Sequence, residues 1–69
     1  MRLSDFVRES RLNNGLSQEQ LARKLDLSYV AVSKVENGHG CGMKVLRALS
    51  DFTDTPIAKL REMLNEDYE

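Results

Sequence analysis

The chain has 69 residues, 41% of them apolar and 30% charged, one cysteine, one proline, and a net charge of −1. That length allows one domain with a small core, burying only about 60% of the unfolded chain's surface, so a lone copy is marginally stable. No apolar run approaches the roughly 18 residues of a membrane span, no leader pattern opens the chain, and the single Cys41 cannot close an internal disulfide. The expectation is a cytoplasmic protein without a cofactor. His39 and Cys41 share a glycine-rich loop, but two ligands fall short of a zinc site, and no metal is expected.

A pI of about 5.8 argues by itself against a nucleic-acid partner. The distribution of charge argues otherwise. Residues 1–50 hold eight basic and five acidic side chains, a net of +3, whereas residues 51–69 hold two basic and six acidic, a net of −4. The chain is polarised, and an acidic tail held away from DNA is screened over a Debye length of about 8 Å.

In chain order, Leu3, Phe6, Val7 and Leu12 recur at near-helical spacing and predict a first helix over 3–12, with Ser4 or Asp5 near its start. Asn13-Asn14-Gly15 ends it. Ser17 with Gln20 three residues on is a capping box that opens a second helix, whose apolar stripe is Leu21, Ala22 and Leu25. Asp26-Leu27-Ser28 breaks the period. Ser28 then caps a third helix that buries Val32 and Val35, with Ala31 at the close approach, and Asn37-Gly38 closes it. A fourth helix over 43–52 presents Val45, Leu46, Leu49 and Phe52 to the core. Thr55 as N-cap and Pro56 at the first helical position predict a fifth, over 56–65, with Ile57, Leu60, Met63 and Leu64 on one stripe and residues 66–69 frayed. The sum is five short helices and no sheet, an all-α chain forming one domain over 1–69.

Two helices joined by so short a turn, within about 17–37, make a helix-turn-helix. The residues Leu16-Ser17-Gln18-Glu19-Gln20-Leu21-Ala22, Leu25, Leu27-Ser28 and Val32-Ser33-Lys34-Val35-Glu36-Asn37-Gly38 resemble the phage-repressor-type (Cro/CI-like, XRE) helix-turn-helix family. The close match covers about a third of the chain. The resemblance implies a compact five-helix, lambda-repressor-like fold, operator DNA as partner, and a homodimer formed through the last helix, with Ile57, Leu60, Met63 and Leu64 as contacts. It also implies an ion pair between Arg11 and Glu36; read from the residues alone, the two are equally two separate solvated charges. The loop His39-Gly40-Cys41-Gly42 departs from the family, whose members place basic or proline residues there.

With Val32 and Val35 turned inward, helical geometry turns Tyr29, Val30, Ser33 and Lys34 outward, where a helix lying in the major groove meets base edges. Lys34 suits guanine O6 and N7, Val30 a thymine methyl, Ser33 several bases, and Tyr29 a phosphate or sugar edge. Gln18 opens the second helix, where a phosphate is favoured. By resemblance Gln18 anchors the backbone, joined by Ser28 and Asn37, with Arg8, Arg11 and Lys44 as further phosphate contacts. The competing reading of that face is a solvated surface.

Nothing supports catalysis: one His, one loop Cys, no nucleophile with an identifiable base, and no phosphate-cradling loop between strand and helix. The chain is therefore read as a DNA-binding transcription regulator, most simply a repressor. The alternatives are an antitoxin, whose acidic tail would dock a basic toxin while the same helix autoregulates its operon, and a protein-binding scaffold that never touches DNA.

Overall fold

The computed structural model describes residues 1–69 as five α-helices: α1 (Leu3–Asn13), α2 (Gln18–Lys24), α3 (Tyr29–Glu36), α4 (Met43–Thr53) and α5 (Ile57–Asp67). Each helix contributes two side chains to one ten-residue core: Leu3 and Val7, Leu21 and Ala22, Val32 and Val35, Leu46 and Leu49, Leu60 and Met63. Phe6, Leu16, Leu25, Cys41, Val45, Phe52 and Leu64 close over it, half-buried. α1 packs against both α3 and α5, α2 lies on α3, and α4 lies on α5. The first helix is thus the post that the helix-turn-helix half and the C-terminal half share.

Local chemistry sets the boundaries. The capping box opens α2 in both directions: Ser17 Oγ accepts from the Gln20 amide at 3.1 Å, and Gln20 Oε1 accepts from the Ser17 amide at 2.8 Å. Ser28 Oγ accepts from the Ala31 amide at 3.0 Å and opens α3. The first three helices end alike, each on a residue of positive φ followed by an amide that reaches back to a last-turn carbonyl. Those bonds run from Leu16 to Arg11 (3.1 Å), from Leu27 to Ala22 (2.8 Å) and from His39 to Lys34 (2.9 Å). Asp26 takes this left-handed position after α2 at φ 55°, a conformation that Asp tolerates better than most side chains. The turn between α2 and α3 is thereby closed by backbone hydrogen bonds, and it sets how α3 is presented.

Three expectations need correction. Leu12 is exposed, because nine positions beyond Leu3 at about 100° per residue it stands half a turn round the helix. Thr55 does not cap α5: its hydroxyl donates to the Thr53 carbonyl at 3.1 Å, and Pro56 occupies the cap position of a helix beginning at Ile57. Ser4 and Asp5 stand in the first turn of α1 as expected, and the buried Ser4 binds Asp67 through its amide (3.1 Å) and its hydroxyl (2.7 Å). Consequently Glu66 and Asp67 are not frayed but helical, with Tyr68 and Glu69 beyond the helix end. α5 runs to Asp67, whose carboxylate caps α1 from across the molecule with the charge a helix start favours. Glu66 receives the N-terminal ammonium at 3.1 Å.

Beyond Asp67, the Tyr68 hydroxyl lies against Gly40, a buried residue with φ 79°. A β-carbon there would strike the Tyr68 hydroxyl, and an L-side chain would also be strained by the backbone. Tyr68 is exposed and can swing aside, whereas the backbone cannot. Gly40→Ala is therefore expected to cost about 1–2 kcal/mol, the left-handed penalty, and to keep most of that cost in a Tyr68→Ala background. Urea midpoints of the four proteins measure both; a cost that vanishes with Tyr68 would make the contact, not φ, the constraint.

Candidate nucleic-acid interface

α3 meets the requirements of a presented helix. Val32 and Val35 lock one side into the core, and the turn of Asp26, Leu27 and Ser28 fixes its start. The opposite side displays Tyr29, 50% exposed, Val30, 57% exposed, and the exposed Lys34. Ser33 lies half-buried beside them, its Oγ accepting from Asn37 Nδ2 at 3.3 Å. Two large apolar surfaces and a free cation on one short helix form a face suited to a base edge. Between α3 and α4 runs an open groove of about 380 Å³, lined by Val30, Ala31, Lys34, His39, Cys41 and Val45 among others.

The flank of this face is organised by Glu36, the last residue of α3, whose side chain is 1% exposed. Arg11 from α1 grips the carboxylate with both edges of its fork, Nε to Oε2 at 2.7 Å and NH2 to Oε1 at 3.0 Å. Its third nitrogen donates to the Leu16 carbonyl at 2.9 Å. The Glu36 hydrogen bond, and then its charge, raise the Arg11 pKa against the opposing effect of burial. The ion pair is therefore present, and the reading of two separate solvated charges is discarded. Gln18 Nε2 donates to Glu36 Oε1 at 3.2 Å. Arg8 donates from NH2 to the Glu36 carbonyl at 2.8 Å, and its Nε stands 3.6 Å from Oε1.

The expected phosphate contacts thus separate into two groups. Arg8, its side chain 46% exposed, Gln18, Ser28, Asn37 and Lys44 all retain accessible surface around α3. Arg11 differs from them: with its side chain 13% exposed and three of its five N–H groups donating within the chain, it ties α1 to α3. The expected dimer contacts separate likewise. Leu60 is fully buried and Met63 nearly so in the chain's own core, leaving Ile57 and Leu64 with accessible area. Burial, and then the charge of Asp67, push the Cys41 thiol pKa up, which keeps it neutral. No three His, Cys, Asp or Glu side chains converge on a common point.

Sequence reasoning missed the Gln18–Glu36 bond and the Arg8 bond to the α3 carbonyl. Spacing placed Arg8 on the Arg11 face, three residues earlier, but gave no distance from α1 to the end of α3.

A family model described as helix-turn-helix matches residues 7–60, from the core Val7 of α1 to the core Leu60 of α5. The chain belongs to that family, the Cro/CI-like XRE helix-turn-helix proteins, and is a DNA-binding transcription regulator. Neither the curated proteins nor the solved structures contain a match to it. No helix is long and apolar enough to cross a membrane.

Removing one partner of a buried pair strands the other charge. Glu36→Ala is expected to lose about 3–5 kcal/mol, while the double replacement Arg11→Met with Glu36→Leu loses clearly less. Thermal melts followed by circular dichroism compare them, and equal losses would mean that the charges themselves hold the helices.

Proposed function

We propose that the protein is a repressor that binds an operator as a homodimer, with α3 in the major groove and the bound dimer occluding polymerase. The observation that carries this reading is the outward set Tyr29, Val30 and Lys34 on a helix whose other side is locked by Val32 and Val35. Lys34 donates to guanine O6 or N7, Val30 packs on a thymine methyl, Ser33 bonds a base within reach, and Tyr29 meets the sugar-phosphate edge. Gln18, Ser28, Asn37, Arg8 and Lys44 set the register on phosphates. The single domain over 1–69 pairs with its mate through Ile57 and Leu64, the half-buried members of the α5 stripe. Half-sites about 34 Å apart suit two copies side by side, each 28 Å in its longest dimension.

An antitoxin role draws less support. Two of the six acids in the tail, Glu66 and Asp67, are already engaged by the chain's own N-terminal ammonium and Ser4.

The test is selection of duplexes from a random library, followed by binding at several salt concentrations. Lys34→Ala should cost about 1–3 kcal/mol on the selected site and relax preference at one base pair. Gln18→Ala should weaken all sequences alike. Arg8→Ala or Lys44→Ala should flatten the slope of log affinity against log salt by about 0.9. Failure to select any sequence would overturn the reading, and a basic protein co-purifying in equal amounts would turn it toward the antitoxin.

A further inference from the structure

We infer that Glu36 is a positioning residue for phosphate binding, setting the Gln18 amide and the Arg8 guanidinium as one seat for a DNA backbone phosphate while touching no DNA itself. The inference rests on the DNA-binding reading and names one site within it.

An acid at the end of α3 is a poor choice on general grounds. The C-terminus of a helix carries partial negative charge, and DNA is an anion. A solvated carboxylate there would weaken both the helix and the complex. Glu36 avoids this by being closed off, its side chain 1% exposed and its oxygens held by Arg11, Gln18 and Arg8.

What the carboxylate supplies follows from hydrogen-bond chemistry. An ionised carboxylate only accepts, so Gln18 must turn its amide nitrogen toward Oε1, where it stands at 3.2 Å. That nitrogen carries a second N–H in the same plane, directed away from the first and free for another acceptor. A neutral amide at position 36 could donate as well as accept. The Gln18 amide could then flip and offer its carbonyl oxygen to the phosphate instead.

Charge works the same way. Arg8, Arg11 and Glu36 together carry one surplus positive charge. Arg11 is enclosed, so the surplus is displayed at Arg8, whose NH2 is pinned to the Glu36 carbonyl at 2.8 Å. Gln18 and Arg8 approach the same oxygen, at 3.2 Å and 3.6 Å, and are near enough to serve one phosphate.

A double-mutant cycle separates positioning from a purely structural role. Wild type, Glu36→Gln, Gln18→Ala and the double variant are titrated with the duplex selected by wild type, across a range of salt. Losing a hydrogen bond to a charged phosphate oxygen makes Gln18→Ala about tenfold weaker. Glu36→Gln is expected to match it and to steepen the salt slope, because a guanidinium is released from its counter-charge. The double variant should then be no more than about twofold weaker than Gln18→Ala. Additive losses, or full affinity in Glu36→Gln, would overturn the inference.

Should Glu36→Gln fail to fold by circular dichroism, the wild-type protein carries the test by NMR. The Gln18 side-chain amide should show an Overhauser contact to the Glu36 γ-protons. Adding the duplex should shift that amide while the contact persists; a missing contact or an unmoved amide overturns the assignment. A wild-type protein that selects no duplex defeats the DNA reading and this inference with it. That outcome is distinct from binding that ignores Glu36.

Discussion

The buried pair of Glu36 and Arg11 is the constraint on which the reading half depends. It joins α1 to the end of α3, and the third Arg11 nitrogen joins both to the Leu16 carbonyl, where the chain leaves α1 for α2. Buried pairs of this kind add little net stability, because desolvating two ions offsets much of their attraction. They do penalise other arrangements heavily. A helix that slid or rotated would leave an unpaired charge inside, and the cost of that exceeds what a few apolar contacts could recover. Apolar packing alone, with Val32 and Val35 against the core, would tolerate small slips of α3. The ion pair removes that tolerance.

A second fastening acts at the opposite end of α1. Asp67 closes the start of α1 through Ser4, and Tyr68 covers Gly40 in the loop that leaves α3. The last residues of α5 therefore bear on both the first helix and the exit of the reading helix. Only ten apolar side chains are buried, two from each helix. In so small a core, polar fastenings at both ends of α1 supply geometric definition that packing cannot.

Most of the fold was legible because its determinants are local. The Ser17–Gln20 box, the Ser28 cap and the Gly15 and Gly38 ends act over three to six residues, and the structure shows them where spacing placed them. Misreadings arose where a residue's partner is distant in sequence. Ser4 stands near the start of α1 as expected, but its partner, Asp67, lies 63 residues away. Residues 66–69 read as frayed because polarity at a chain end carries no sign of a docking site. The stripe of Ile57, Leu60, Met63 and Leu64 showed that one face of α5 is apolar, but not which part the core would consume. Leu12 was a plain error of period. The outward face of α3 was legible for the same reason as its caps: once Val32 and Val35 are inside, geometry places Tyr29, Val30 and Lys34.

The acidic net charge looks contrary to DNA binding until each acid is located. Glu36 is enclosed by guanidinium groups, Glu66 faces the N-terminal ammonium, and Asp67 is held by Ser4 at the positive end of α1. Three acids are thus compensated within the fold and project little field toward a ligand. The charge that a duplex meets near α3 is set by Lys34, Arg8 and Lys44, all accessible. Over distances comparable with a Debye length of about 8 Å, nearby groups govern the potential and the remaining tail acids are screened. A formal charge of −1 and a DNA-binding surface are therefore compatible. What decides between attraction and repulsion is which acids the fold hides, and here the one beside the reading helix is hidden.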